Sequence, residues 1–375
     1  MKIVSVLTTE AAGGAEFAAF ELLDAFQARG HEAVVLTNLP QLKRETTVDV
    51  RAIDLGPKLS RRTYRHLLVR FPLLAWRLRS ALRREEPYDF LLVHFKKEQL
   101  LTLMLGRRAR SGCAWAEWGP VPFEFRKGVP NMLYRYAAQR ADVVLAISSG
   151  TRDSLVESGV PEEKVVVLHN AVRTEEIRYE EAGRESVRTE LGIPAAAFVV
   201  GCVSRFHPKK RNDVVVEAVK LLDDDVQLVL AGDGETEESL RELAKPLGSR
   251  AHFVPTPTSN VADVYSAFDV SVFCPSPTEG APRAVILAML TERPVVATGS
   301  EGVSDLLGQG GGRILSPEND PGALAAALRS YAADPELRAR DGSLARHLAE
   351  DQHAAPVVAE RLETLLDRAR PQPRT

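Results

Sequence analysis

Short, continuously apolar runs alternate with helical segments along this chain, and the alternation stops once and then begins again. The first series opens with Ile3-Val4-Ser5-Val6-Leu7, crosses the loop Thr9 to Gly14, follows helical spacing from Phe17 to Arg29, and returns to an apolar run at Ala33-Val34-Val35-Leu36. Gly30 ends that helix, as a residue that reaches positive φ without steric cost should. Further strand candidates lie at Val50 to Ile53, Phe90 to Phe95, Cys113 to Trp118, Val143 to Ile147 and Val165 to Leu168. Runs this short and uniformly apolar suit parallel strands buried on both faces.

A polar, charge-dense stretch, Arg173 to Glu190, interrupts the series. The scheme resumes with the strand Phe198 to Val203, then helix Asp213 to Leu222, strand Gln227 to Ala231, helix Glu237 to Leu247 and strand Ala251 to Val254. Helix Val261 to Phe268, strand Val270 to Phe273, helix Pro282 to Thr291 and strand Val295 to Ala297 follow, with helices from Pro321 onward. The expected architecture is α/β: two Rossmann-like, doubly wound domains in tandem, which place ligands at the carboxyl ends of their strands, in a cleft between domains. The boundaries predicted are 1–172 for the first domain, 173–195 for a linker and 196–354 for the second. The last helix, within 355–370, is expected to cross back to the first domain. A chain of 375 residues is too long for one ordinary core, which agrees with two.

The net charge of −3 provides no global field to gather nucleic acid, so any basic function must be local. Cys113, Cys202 and Cys274 are odd in number and far apart, which fits neither a disulfide framework nor a metal or redox pair. With no charged-then-apolar leader before Lys2 and no run long enough to span a membrane, the expectation is a cytoplasmic protein.

Strand Phe198 to Val203 ends in Ser204-Arg205-Phe206-His207-Pro208-Lys209-Lys210. That puts a guanidinium and an ammonium just past the carboxyl edge of the second sheet. Such a pair can neutralise a diphosphate leaving group, although a solvated basic loop explains the segment equally well taken alone. Strand Val270 to Phe273 runs into Cys274-Pro275-Ser276-Pro277-Thr278-Glu279-Gly280-Ala281-Pro282, and an apolar helix starts near Arg283. Free amides at a helix start suit phosphate, and Gly280 permits close backbone approach. A plain strand-to-helix turn accounts for Gly280 and Pro282 but not for a carboxylate at its mouth.

With these segments the chain resembles glycosyltransferase family 4, a retaining family with the GT-B fold. The likeness is carried by Gly13-Gly14-Ala15-Glu16, Arg29-Gly30-His31-Glu32, Ala141 to Ser148, Asn170-Ala171-Val172, Ser204-Arg205 to Lys210, Ala231-Gly232-Asp233-Gly234, Phe268-Asp269-Val270 and Pro275-Ser276 to Met289. It covers Met1 to Leu344; no one segment is specific, but their order and spacing are. The resemblance implies that Arg205 and Lys210 contact the donor diphosphate, that Gly13 and Gly14 leave room for donor phosphate and acceptor, and that Glu279 faces the transferred sugar. Gly232, Gly234, Gly280, Ala281, Pro282, Arg283 and Leu287 complete the expected donor site. It also implies transfer with retention, no cofactor and no metal, and a nucleotide-sugar co-substrate that is UDP-, GDP- or dTDP-linked. The acceptor would be a hydroxyl of a small molecule, natural product, lipid or glycan precursor.

Two positions depart from the family pattern. The second Glu of its paired-Glu motif, which serves the donor ribose, falls on Leu287, so a 2′-deoxyribose donor such as a dTDP-sugar would lose least. Members often carry His where Trp118 stands, touching the sugar's outer hydroxyls, and an indole nitrogen cannot accept a hydrogen bond. Either the sugar lacks an ordinary 6-hydroxyl, or Trp118 forms an apolar acceptor platform, or it packs in the core. Glu117 beside it is a candidate polar contact, against the commoner case of a strand-end charge facing solvent.

Other signals weigh less. Gly308 to Gly312 precedes a strand and reads as a turn, and Asp223-Asp224-Asp225 reads as a solvated turn away from the ligand edge. His94, His169 and His207 have no partners visible in sequence. Lys58 to Arg84 mixes arginines with Leu, Val, Phe and Trp; it is expected to be a helix burying its Leu and Trp stripe, with peripheral contact to an anionic membrane at the inner face as the competing reading. The competing functions are a GT-B epimerase or phosphorylase and a non-catalytic nucleotide-sugar-binding subunit.

Overall fold

The computed structural model describes residues 1–9, 13–41, 46–60, 63–105, 112–256, 260–276, 280–316 and 318–370. The chain divides into two compact units, residues 1–172 with 355–375 and residues 173–354.

The first unit runs β1 (Lys2–Leu7), α1 (Gly14–Ala28), β2 (Glu32–Thr37), β3 (Asp49–Ala52), α2 (Tyr64–Glu85), β4 (Phe90–Val93), α3 (Lys96–Leu101), β5 (Cys113–Glu117), α4 (Gly128–Ala138), β6 (Val143–Ala146), α5 (Ser149–Glu157) and β7 (Val165–Val167). Its seven strands are all parallel, in the order β3-β2-β1-β4-β5-β6-β7. Order reverses at β1 and β4, the point where such sheets open a crevice at their carboxyl edge. Both faces are dry: Val4, Val6, Leu91 and Val93 enter one core, and Ile3, Leu7, Phe90 and Leu92 the other. That is why the strands read as unbroken apolar runs instead of alternating ones.

In the second unit α6 (Glu181–Glu190) precedes β8 (Val199–Val203), α7 (Asn212–Lys220), β9 (Gln227–Ala231), α8 (Glu237–Ala244), β10 (Ala251–Val254), α9 (Val261–Ser266) and β11 (Val270–Phe273). Then come α10 (Arg283–Leu290), β12 (Val295–Thr298), α11 (Glu301–Leu307), β13 (Gly312–Leu315), α12 (Pro321–Ala333) and α13 (Pro335–His353). The six strands are parallel, ordered β10-β9-β8-β11-β12-β13. The reversal falls at β8 and β11, whose following loops carry Arg205 to Lys210 and Pro275 to Pro282.

The chain returns to the first unit through α14 (Ala355–Ala369), whose Val358, Ala359, Leu362 and Leu366 join Phe20, Leu23 and Phe26 of α1 in one core. Glu363 ties it further to Arg29 at 2.7 Å and to His31 at 3.2 Å.

Two expectations need correction. The proposed linker 173–195 falls within the second unit and contains α6, which is packed there by Arg184 and Arg188, each 2.8 to 2.9 Å from Asp269 just before β11. Arg188 also donates to the carbonyls of Ala195, Ala197 and Ala267. Those pairs hold Asp269 below the usual carboxylate range: burial alone would raise it, and Arg188, Arg184 and the Val199 N–H outweigh that. The second correction concerns α2, where Leu67, Leu74, Leu78 and Leu82 are buried as expected but Trp76 faces outward. Among the described residues no helix is long and apolar enough to cross a membrane.

Candidate functional site

At the carboxyl edge of the second sheet, the loop after β8 is held by backbone bonds on two sides. From the β9 side, the Ser204 N–H donates to Ala231 at 3.0 Å, the Phe206 N–H to Asp233 at 2.7 Å, and the Thr236 N–H to Phe206 at 3.1 Å. From the β11 side, the Ser276 N–H donates to the Lys209 carbonyl at 2.7 Å. Gly232 and Gly234 sit at φ 156° and 145°, and a Cβ there would lie 1.9 Å from the Ser204 oxygen and 2.4 Å from the Phe206 oxygen. Only glycine lets these two loops close on each other. Glycines expected to line a nucleotide thus also clamp the basic loop from behind.

Within this frame the cations differ. Arg205 is exposed, and among the described residues its guanidinium has no hydrogen-bond or ion-pair partner. Lys210 is half-buried, with Nζ 5.2 Å from the centre of the Phe273 ring, so its stem is steered by apolar packing. Arg211 adopts a left-handed backbone (φ 49°) and is committed to Asp213 at 3.1 Å. Of Arg205, Lys210 and Arg211, Arg205 is the least engaged among the described residues, and Lys209 near it is exposed as well.

Glu279, with Pro277 and Thr278, lies outside the described residues. The loop beyond it is set by another glycine. A Cβ on Gly302 would fall 1.2 Å from the Gly280 oxygen, so the N-terminal turn of α11 can approach Gly280 and Ala281 only because Gly302 has none. Nothing local in sequence marked Gly302 for this. Pro282 is the residue before α10 rather than inside it. Arg283, Ala284 and Leu287 form the half-buried face of α10, while Val285, Ile286, Ala288, Met289 and Leu290 are buried.

A larger hollow of about 570 Å³ lies at the opposite, amino-terminal edge of this sheet, near Phe198, Asp223 and Asp269. Its three guanidiniums are already spent, Arg184 on Asp269, Arg329 on the Leu221 carbonyl and Arg338 on the carbonyls of Tyr331 and Ala332.

The carboxyl edge of the first sheet brings together more than sequence indicated. Gly13 is extended and its N–H donates to the Glu16 carboxylate at 2.9 Å, closing the start of α1, where Gly14 is the first residue. Glu117 does not face solvent. It is buried, with both oxygens 2.6 Å from Lys96 Nζ, and it also accepts from the Tyr134 hydroxyl at 2.6 Å and Gln99 at 2.9 Å. Burial pulls the Lys96 ammonium below its ordinary value, and Glu117 opposes that pull. Next to it, Glu98 is fully buried, 3.7 Å from Lys97, and accepts from Thr8; burial raises its carboxyl above the usual range.

Trp118 is half-buried and stacks on His94 at 5.7 Å, and its ring N–H is buried without a partner among the described residues. His94 is bonded to Ser5 at 2.7 Å, and burial drives it down to about 3, so it is neutral near pH 7. Trp118, His94, Glu117 and His169 surround a cavity of about 20 Å³, room for one water. The signal for this cluster was present in His94-Phe95-Lys96-Lys97-Glu98, charges immediately following a buried strand, but the partners on β1, β5 and α4 are distant in sequence.

Residues 12–176 match the family model described as Glycosyltransferase Family 4, and residues 197–334 that described as Glycosyl transferases group 1. The chain is 33% identical over 225 residues to the D-inositol 3-phosphate glycosyltransferase of Streptomyces avermitilis, covering 55% of this chain and 48% of that protein. It is 31% identical over 235 residues to the alpha-maltose-1-phosphate synthase of Mycolicibacterium smegmatis, covering 58% and 60%. The chain thus spans about half the length of the curated relatives it matches. Among solved structures, Anabaena HepE in complex with UDP and glucose superposes with a TM-score of 0.83 at 20% identity, over 98% of this chain and all (100%) of that one. A glycosyltransferase from Rickettsia africae gives 0.80 at 16% identity, over 98% of both. At these identities the likeness establishes the GT-B fold.

Proposed function

The chain belongs to glycosyltransferase family 4, and from that membership we propose that it moves a sugar from a nucleotide-sugar donor to a hydroxyl of an acceptor, with retention of configuration and without a metal. The observation that carries this reading is the exposed guanidinium of Arg205, without a partner among the described residues, on a loop locked at the switch point of the second sheet. A fixed backbone with an uncommitted cation costs little reorganisation when charge develops, which is the condition for effective electrostatic catalysis. As the bond between the sugar's anomeric carbon and the diphosphate breaks, Arg205 and Lys210 stabilise the diphosphate. The acceptor oxygen bonds to the same face of the sugar, and its proton passes to an oxygen of the leaving phosphate. Glu279 faces the transferred sugar in this scheme. Gly13, Gly14, Gly280, Ala281, Pro282 and Arg283 line the donor, and Glu117 and Trp118 bear on the sugar or acceptor. The acceptor is a hydroxyl of a small molecule, lipid or glycan precursor. HepE, a neighbour in fold, was solved with UDP and glucose, which supports a nucleotide-sugar as co-substrate.

The test is donor hydrolysis in the absence of acceptor, with Arg205→Ala and Lys210→Ala each expected to lower turnover by about 10²-fold or more. Turnover unchanged in both variants would remove Arg205 and Lys210 from the transfer chemistry, and no hydrolysis by the unaltered chain with UDP-, GDP-, ADP- and dTDP-sugars would reduce the chain to a binding subunit. Because Leu287 offers the ribose no acceptor, we place a dTDP-sugar first among donors. Leu287→Glu is expected to raise kcat/KM for the UDP form relative to the dTDP form by about tenfold, the worth of one good hydrogen bond to a charged group. A clear preference of the unaltered chain for UDP over dTDP forms of one sugar would overturn that choice.

A further inference from the structure

We propose that the outer layer of the first unit, built by α2 and α4, docks on an anionic lipid bilayer. Both helices carry two apolar stripes where an ordinary surface helix carries one. α2 buries Leu67, Leu74, Leu78 and Leu82, yet also turns Val69, Leu73 and Trp76 outward at positions i, i+4 and i+7, Val69 at 84% and Trp76 at 65% exposure. α4 buries Tyr134, Ala137 and Ala138 and turns out Val129, Met132, Leu133 and Tyr136 at i, i+3, i+4 and i+7, Met132 at 61%. The turn leading into α4 adds Phe123, 71% exposed. The inward stripes of both helices enter the same core, and α3 with the turn Thr102–Met104 bridges them. Arg140 at the end of α4 donates to the Leu103 carbonyl at 3.3 Å. The two outward stripes therefore belong to one layer on one side of the sheet.

The charge around them is predominantly basic. No acidic residue occurs between Tyr64 and Arg84, where Arg70, Arg83 and Arg84 are exposed, although Arg77 pairs with Asp54 at 2.8 Å and exposed Glu86 follows the helix; from Phe123 to Arg140 the sequence holds exposed Arg126, Lys127 and Arg135 against one acid, Glu124. The whole chain is at −3, so this surface is basic against the balance of the molecule. Apolar side chains rimmed by arginines, with Trp and Tyr among them, match the boundary between acyl chains and phosphate headgroups. A second copy of the same surface would bring like charges face to face, which disfavours self-docking. The earlier membrane reading of Lys58 to Arg84 is thereby narrowed to the outer face of α2 and extended to α4.

The experiment is co-sedimentation of the full chain with phosphatidylcholine vesicles, with and without phosphatidylglycerol, at low and high salt. Binding is expected only with phosphatidylglycerol and is weakened by salt. The pair Trp76→Glu with Met132→Glu should lower affinity at least tenfold, and Arg83→Glu with Arg84→Glu by about fivefold or more per residue. All four positions are exposed, so unfolding midpoints matching the unaltered chain confirm that the fold is intact. Donor hydrolysis without acceptor should be unchanged in these variants, which keeps this surface separate from the transfer reading. Equal binding to neutral and anionic vesicles, no binding to either, or binding indifferent to both variant pairs would overturn the proposal. Concentration-dependent dimers abolished by Trp76→Glu with Met132→Glu, without vesicle binding, would also overturn it.

Discussion

Arg205 and Arg188 are both guanidiniums close to the same strand, and their surroundings give them different work. Arg188 is buried, spent on Asp269 and three carbonyls at the amino-terminal edge, whereas Arg205 stands exposed at the carboxyl edge with no partner among the described residues. Sequence position separated them only in part. Arg205 was legible because it follows an apolar strand directly, but Arg188 lies in a polar stretch whose partner, Asp269, is far along the chain. His94 shows the same limit: its meaning depends on Ser5 and Trp118, which the fold and not the sequence brings beside it. Burial holds this ring down at about 3. Between its ordinary value near 6.5 and that value, the unfolded chain binds a proton that the folded chain refuses, so stability falls as pH falls. Glu98, raised by burial, acts in the opposite sense. His94→Gln isolates the histidine: from about pH 7 to about pH 5 the unaltered chain should lose about 2 kcal/mol more than the variant in urea unfolding. Equal losses would show that His94 titrates normally.

Among the elements, strands were the readable part, because double-sided burial leaves an apolar signature that needs no partner to be recognised. Helices held by ion pairs were not. α6 offers little apolar surface, with Val187 its one buried aliphatic side chain, so its helical state and its place in the second unit depend on Arg184 and Arg188. The loops at the carboxyl edges were readable as glycine-rich turns but not as interlocking pieces. Gly234→Ala puts a Cβ 2.4 Å from the Phe206 oxygen at φ 145°. It should cost about 2 to 3 kcal/mol in unfolding free energy, from backbone strain plus the clash. It should also lower donor turnover by loosening the Arg205 loop, although it removes no charged group. Unchanged stability with unchanged turnover would mean that the two loops do not depend on each other.

On the scale of the molecule, two α/β units follow from a pattern that restarts, and that much could be read from Ile3 to Leu7 and Phe198 to Val203 alone. Which residues complete each unit could not, since α14 resembles any other amphipathic helix until its contact with α1 is seen. The second unit is continuous, residues 173–354, with its own buried core of Val200, Leu228, Val270 and Val296. A fragment of those residues should unfold in one cooperative thermal transition followed by circular dichroism. Residues 1–172 without α14 leave Phe20, Leu23 and Phe26 uncovered, and should bind a hydrophobic dye and melt broadly. A sharp transition for that second fragment would show that α14 is dispensable.

The return of α14 also dictates an order of events during synthesis. On the ribosome the first unit emerges first, yet it must wait, one face of α1 uncovered, while all of the second unit is translated and free to fold. A nonsense codon or a protease cut near Ala355 would therefore damage the amino-terminal half of the protein and spare the half that immediately precedes the break.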